Sequence, residues 1–219
     1  MLIIDLSYQL LGDNIKYILD IGIYARRHGL LFRAAFREVF EHAKQVVFLK
    51  GEQIKFPYAD VPHLIFVHEG AVLGTLSHEQ KIVYKSIKLM QSIFLTDPTG
   101  YFKKKVDTHE WVAVNKVSLT AIPIDYLMES LKSVDGARDK LSKHIKKVIK
   151  SDYSHYQQIH EHDTLSDKLD FLVKTNPFIF HITRKYLAMF MNVSQNGLSK
   201  AILTWAIKNF GIQKNEDTN

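Results

Sequence analysis

The stretch Ile182-Thr183-Arg184-Lys185-Tyr186-Leu187-Ala188-Met189-Phe190-Met191-Asn192-Val193-Ser194-Gln195-Asn196-Gly197-Leu198-Ser199-Lys200-Ala201-Ile202 reads as two short helices and the turn between them. Thr183 stands where an N-cap belongs, and Leu187, Ala188 and Met191 give a helix over Arg184–Met191 one apolar face. Asn192 tolerates the left-handed conformation that stops a helix, and Ser194 can cap the next one. That second helix is expected over Gln195–Lys208. Leu198, Ile202 and Trp205 face inward, and Gln195, Asn196, Ser199 and Lys200 face outward. The pair is a helix-turn-helix or a plain αα-hairpin with a polar face. In the first case the opening turns of the second helix meet base edges, where Gln and Asn suit adenine and Lys suits guanine or phosphate. Gly197 weighs against a rigid reading helix, by roughly 1 kcal/mol relative to Ala.

Moving outward, Thr164-Leu165-Ser166-Asp167 opens a helix with a capping-box signature, Asp replacing the usual Glu. Leu165, Leu169, Leu172 and Val173 supply its apolar face, and Asn176-Pro177 ends it. Before it, Leu127, Leu131, Val134, Leu141, Ile145, Val148 and Ile159 recur mostly at spacings of three, four or seven, with Lys140, Lys143, Lys146, Lys147 and Lys150 between them. A helix this long needs a cover for its apolar side. A second copy of the chain supplies one, with Val134, Leu141, Ile145 and Val148 at the dimer seam. The alternative is a helix broken near Asp135-Gly136 and packed on its own β domain.

Over about residues 46–124 the period shortens. Val46-Val47-Phe48-Leu49, Leu64-Ile65-Phe66-Val67, Ala71-Val72-Leu73, Ile82-Val83-Tyr84 and Trp111-Val112-Ala113-Val114 are strand-like runs separated by turn residues such as Glu69-Gly70 and Asp97-Pro98-Thr99-Gly100. Short strands at such spacing predict a sandwich or β-roll. The N-terminal part is helical in pattern, from Tyr8 to about Arg26 and again over Leu31–Lys44, where Phe32, Phe36, Val39 and Phe40 share a face.

Composition excludes several classes. With 46% apolar and 24% charged residues the chain is neither disordered nor low in complexity. Zero cysteines exclude disulfides, a thiol nucleophile and cysteine-held zinc or iron–sulfur clusters. The 29 Lys and Arg against 23 Asp and Glu permit a polyanionic partner, and the excess is 7 to 4 over residues 131–162 and 7 to 5 over 163–219. Asp5, Asp13, Lys16 and Asp20 break the N-terminal apolar stretch, so neither a membrane span nor a signal peptide is expected there, and a cytoplasmic location is.

His144, His155, His160 and His162 lack the i,i+4 pairing of helical metal ligands, so no metal site is expected. A solvated or interface role fits them, with a pH-sensitive seam as a variant. Gly-rich phosphate loops, nucleophile elbows and zincin motifs are missing from the sequence, and Asp97, Asp107 and Glu110 read as turn carboxylates. No catalytic residues and no enzyme activity are expected.

Taken in order, the β region, long helix and C-terminal helix pair resemble the Crp/Fnr family of bacterial transcription regulators. The resemblance is carried by Lys50-Gly51-Glu52-Gln53-Ile54, Leu64-Ile65-Phe66-Val67-His68-Glu69-Gly70, Asn176-Pro177 and Ile182–Ile202. It implies an α+β chain: N-terminal helices with an antiparallel, jelly-roll-like β-roll (a double-stranded β-helix) over 1–130, a long dimerisation helix over 131–162, and a helix-turn-helix DNA-binding domain over 163–219. It further implies a homodimer on double-stranded DNA, with RNA polymerase as a partner and no membrane. Thr183, Arg184, Ser194, Gln195, Asn196, Ser199 and Lys200 are then the DNA-binding candidates.

Two departures shape the expected function. Cyclic-nucleotide-binding members carry a Gly-Glu pair and an Arg-Ser pair on a phosphate cassette. The matching region, Ser92–Asp97 through Val106–Trp111, holds neither pair and no Arg, with Thr108-His109 near the Arg-Ser place. Without a guanidinium fork a buried cyclic phosphate is poorly held, so no response to cyclic AMP is expected. Phe94, Lys103, Thr108 and His109 remain the ligand-pocket candidates, with no cofactor expected and the ligand unknown. His63, His68 and His78 lack the spacing of haem ligands. On the reading helix, Gln195-Asn196-Gly197-Leu198-Ser199-Lys200 replaces the Arg-Glu-Thr-x-x-Arg pattern of members with well-defined sites. The alternative function is therefore a Crp-like ligand-sensing or partner-binding module that has lost DNA recognition.

Overall fold

The β-branched and aromatic runs between residues 44 and 123 pair into two antiparallel sheets. In this computed structural model, which describes residues 15–30, 42–55, 61–99 and 108–211, the strands are β1 (Lys44–Phe48), β2 (His63–Glu69), β3 (Ala71–His78), β4 (Lys81–Leu89), β5 (Ser92–Leu95), β6 (Thr108–Ala113) and β7 (Val117–Pro123). One sheet runs β1-β7-β2-β5 and the other β4-β3-β6. Glu79 and Gln80 join β3 to β4 with φ of 48° and 63°, the positive-φ pair that matches strand twist in a tight hairpin.

Alternation sends one set of side chains between the sheets. Ile65, Val67, Val72, Phe94, Trp111 and Leu119 fill that interior. Trp111 lies directly across from Gly74 in the β3–β6 ladder. Its ring covers the glycine so closely that a Cβ there would sit 2.2 Å from it. The indole N–H donates to the Thr96 carbonyl at 3.0 Å, and the ring packs on Phe94 with centroids 4.2 Å apart.

The outward set is apolar too, so both sheets need an outer cover. On the first sheet Leu64, Phe66, Ile93, Leu95 and Ile122 pack under α1 (Ile15–Arg27), α2 (Ile124–Ser130) and the first half of α3 (Ala137–Glu161). His68 ties α1 to the sheet, with Asp20 3.3 Å from Nδ1 and the Thr120 hydroxyl 2.7 Å from Nε2. Exposed Lys16 and Glu69 pair at 2.6 Å. On the second sheet Ala71 and Leu73 share a core with Ile159 of α3 and with the C-terminal helices α4 (Leu165–Thr175), α5 (Arg184–Met191) and α6 (Gln195–Phe210).

The long helical pattern is broken at Gly136, which takes φ 65° at the start of α3. A left-handed residue there costs glycine least, so the helix expected over 131–162 begins only at Ala137, after the turns over 131–136 that follow α2. The seam expectation needs the matching correction. Leu141 and Ile145 are buried, and Val134 and Val148 packed, against this chain's own sheet. The outward face of α3 instead carries exposed Lys140, Lys143, Lys146, Lys147 and Lys150. The first expected helix is present from Ile15; its earlier residues, and the expected helix over 31–41, lie outside the described residues, and Lys44 opens β1.

Two outcomes test this packing. Gly74→Ala forces a methyl into the Trp111 ring and should lower unfolding free energy by about 1–3 kcal/mol, read from urea denaturation. Burial holds the imidazole pKa of His28, His63, His68, His144, His155 and His160 below the ordinary 6.5. At the α1–α3 contact the His28 and His144 rings meet at a tilt, 4.6 Å apart, with Lys147 and Arg27 close by, and the Tyr24 hydroxyl lies 2.8 Å from His144 Nε2. The unfolded chain binds protons first, so stability should be full above pH 6.5 and fall as pH drops towards the lower folded-state values. His144→Phe should flatten part of that fall in urea midpoints measured at about pH 7.5 and 5.5.

Candidate nucleic-acid interface

Two helices set the candidate interface. α5 begins after Thr183, whose carbonyl accepts from the Tyr186 and Leu187 amides at 3.0 and 3.1 Å. The Thr183 hydroxyl itself makes no cap bond and is buried with no hydrogen-bond partner, so Thr183 holds the N-cap position without side-chain capping. Tyr186, Leu187, Ala188, Phe190 and Met191 are buried. Asn192 stops the helix in the left-handed conformation, at φ 59° and ψ 46°.

Ser194 then caps α6, its hydroxyl oxygen accepting from the Gly197 amide at 3.1 Å. Gly197 thus sits in the first turn, and a Cβ on it would lie 3.0 Å from the Ser194 hydroxyl oxygen. Leu198 and Trp205 are buried, while Gln195, Asn196 and Lys200 are exposed and Ser199 is half-buried. Arg184 is exposed and reaches from α5 to donate to the Ser199 hydroxyl at 3.4 Å. The structure therefore gathers Arg184, Ser194, Gln195, Asn196, Ser199 and Lys200 around the start of α6. The helix continues two residues past the expected end, to Phe210.

What holds α6 in place was not legible in the sequence. The Trp205 indole N–H donates to Asp170 of α4 at 2.5 Å, and Lys208 lies 3.8 Å from the same carboxylate. On β4, Lys85 and Lys88 are buried three positions apart and so leave the strand on opposite sides, Lys85 on the side of Ile87 and Leu89 that meets the helices. The Lys85 ammonium donates to the Met189 carbonyl near the end of α5, and Lys88 pairs with Asp152 of α3. Burial pulls the Lys85 pKa below the ordinary 10.5. A lysine in a run ending Lys85-Ser86-Ile87-Lys88 looks solvated in sequence; only the pairing of β4 with β3 reveals which face it takes.

Of the ligand-pocket candidates, Phe94 is buried between the sheets, His109 is exposed on β6, Thr108 opens that strand, and Lys103 lies outside the described residues. Among the described residues no group of His, Asp and Glu could hold a metal, and no helix is long and apolar enough to cross a membrane.

A putative transcriptional regulator of the crp/fnr family from Eubacterium rectale superposes with TM-score 0.60 over 85% of this chain and 88% of its own, at 12% identity. The chain has the Crp/Fnr fold. A cyclic nucleotide-binding domain containing protein from Listeria monocytogenes matches with TM-score 0.58 at 13% identity, covering 87% of this chain and 92% of that one. FixK2 from Bradyrhizobium japonicum matches with TM-score 0.57 at 13% identity, over 78% and 86%. No protein-family model and no curated protein matches the sequence. The Crp/Fnr fold accounts for the order of α1, the two sheets, α3 and the C-terminal helices.

The β4 lysines are testable. Asp152→Ala leaves Lys88 buried without its partner and should cost about 3–5 kcal/mol, whereas adding Lys88→Met should recover most of that loss. Urea denaturation of the single and double variants reads the difference.

Proposed function

We propose that the protein is a sequence-specific DNA-binding transcription regulator of the Crp/Fnr type, acting as a homodimer. The observation that carries this reading is the Ser194-capped start of α6, which presents Gln195, Asn196 and Lys200 to solvent beside Arg184 and Ser199. These side chains offer what a major groove reads: amides for adenine, and cations for guanine or phosphate. α5 and the α5–α6 turn, stopped by Asn192 in the left-handed conformation, act as the first two parts of a helix-turn-helix. Solved regulators of this fold support the reading. RNA polymerase is the proposed downstream partner. By this reading the two copies meet through a surface other than the apolar side of α3, which its own sheet occupies.

We further infer that cyclic AMP is not the effector. Phe94 and Trp111, from the two ends of the region that resembles the family's phosphate cassette, occupy the space between the sheets, and that region carries no arginine. A regulatory rather than enzymatic role also suits His68. Its line from Asp20 to Thr120 has the order of a hydrolytic triad, but the hydroxyl residue at its end is only 1% exposed. That line anchors α1.

Selection from a pool of random duplexes at low and moderate salt tests the function. A twofold-symmetric site with half-sites about one helical turn, ~34 Å, apart is expected. Lys200→Ala should abolish its enrichment with the fold unchanged. Ser194→Ala should lower stability by about 1 kcal/mol and weaken selection. Retention with no sequence preference would favour the module that has lost DNA recognition, for which the lack of arginine at the start of α6 speaks.

A further inference from the structure

Away from the reading helix, α3 and α4 form an elbow with an open groove of about 380 Å³ between them. That lies at the small end of ligand sites, roughly 300–1,000 Å³, and suits a mononucleotide-sized molecule. Lys147 and Lys150 stand on its α3 side with Ser151, Ser154 and His155, and Phe171 comes from α4.

The charge in this groove has one sign. No acidic residue lines it. From Lys140 to Ser151 the chain holds five lysines and no carboxylate. Asp152, the next acid along, does not line the groove; it pairs with Lys88 and acts on the charge of His155. Among the described residues no ion pair engages Lys147 or Lys150. Lys147 and Lys150 stand three residues apart on one helix, so their like charges repel, and an anion between them relieves that repulsion.

The hydrogen-bond pattern gives the groove further donors. The Thr175 hydroxyl donates to the Phe171 carbonyl at 2.8 Å, so its oxygen accepts from His155 Nε2, also at 2.8 Å. That sets His155 with its proton on Nε2 and ties α3 to α4. Gln158 donates its amide to the Ser154 hydroxyl oxygen at 3.2 Å, leaving the Ser154 proton to point elsewhere. The His155 and Phe171 rings lie 5.1 Å apart, tilted by 33°, and put two aromatic groups beside the cationic rim. Cationic rim, serine hydroxyls and aromatic side chains together match a phosphate joined to a ring system.

We propose that the α3–α4 groove binds a phosphate-bearing small molecule of nucleotide size, its phosphate on Lys147 and Lys150 and its planar group against His155 and Phe171. α4 also carries Asp170, on which Trp205 of α6 is pinned. A ligand bridging α3 and α4 therefore stiffens the elbow that sets the position of α6. That consequence alone rests on the DNA-binding reading; the binding does not.

Equilibrium dialysis and calorimetry on the full chain test it, with AMP, GMP and pyrophosphate as probes and adenosine as the phosphate-free comparison. At least one nucleotide should bind saturably, one per chain, and adenosine should bind about tenfold or more weaker. The double variant Lys147→Gln/Lys150→Gln removes two exposed charges without touching the core, and should lose about tenfold or more in affinity with an unchanged thermal melt. Lys140→Gln/Lys143→Gln removes the same charge outside the groove and should leave affinity within about twofold. The His155 ring signals should shift on titration in the unsubstituted protein.

Three results overturn the proposal: no saturable binding by any of the three probes, equal losses in the two double variants, or equal affinity for adenosine and AMP. Equal losses mean diffuse attraction to a basic helix, which duplex DNA would share. Because this readout uses no DNA, it stands or falls apart from the duplex selection.

Discussion

The second sheet cannot face water. Its outer side chains, Ala71 and Leu73 with Ile87 and Leu89 beside them, are apolar, and the C-terminal helices are what covers them. Everything about α6 follows from that burial. Leu187, Met191 and Leu198 belong to the same core as the strands, so the helix pair is not a bead on a string. A polar frame surrounds the apolar contact. Lys88 meets Asp152, and Lys85 meets the carbonyl near the end of α5. Burying such cations costs several kcal/mol each unless they are answered, so these partners specify one docking rather than many.

The first sheet solves the same problem with different elements. Its outer face is covered by α1, α2 and the first half of α3. A single helix, α3, thus touches both covers: Leu141, Ile145 and Ile149 belong to one and Ile159 to the other. Using its apolar side within the chain leaves its lysine side outward. A helix of this composition facing a second copy across its lysines would bring like charges together, at a cost comparable to what favourable pairs gain. Its outward chemistry is suited to anions.

Inside the roll, Trp111 decides what space remains. The indole lies across Gly74 and against Phe94, with its N–H satisfied by a backbone carbonyl. A filled interior gives stability to a small sandwich. At the elbow between α3 and α4, by contrast, Lys147 and Lys150 face an open groove.

Much of this architecture was legible in the chain itself. Local rules act over a few residues, so Asn192 as a left-handed stop, Ser194 as a cap and Thr164 with Asp167 at the start of α4 could all be read directly. The period-2 runs announced strands, and their order with the helices pointed to the Crp/Fnr fold. Pairing across distance was not legible. Nothing near Lys85 or Lys88 in sequence says that β4 turns them inward, because the residues that answer them lie 104 and 64 positions away. The destination of the apolar side of α3 was equally undecided, since periodicity shows that a helix has a face to bury and not which surface buries it. Local chemistry determined the helices, caps, turns and outward side chains of α6. Tertiary packing alone decided that α3 lies on its own sheets, that Lys85 of β4 meets α5 and Lys88 meets α3, and that the lysines of α3 are left to solvent.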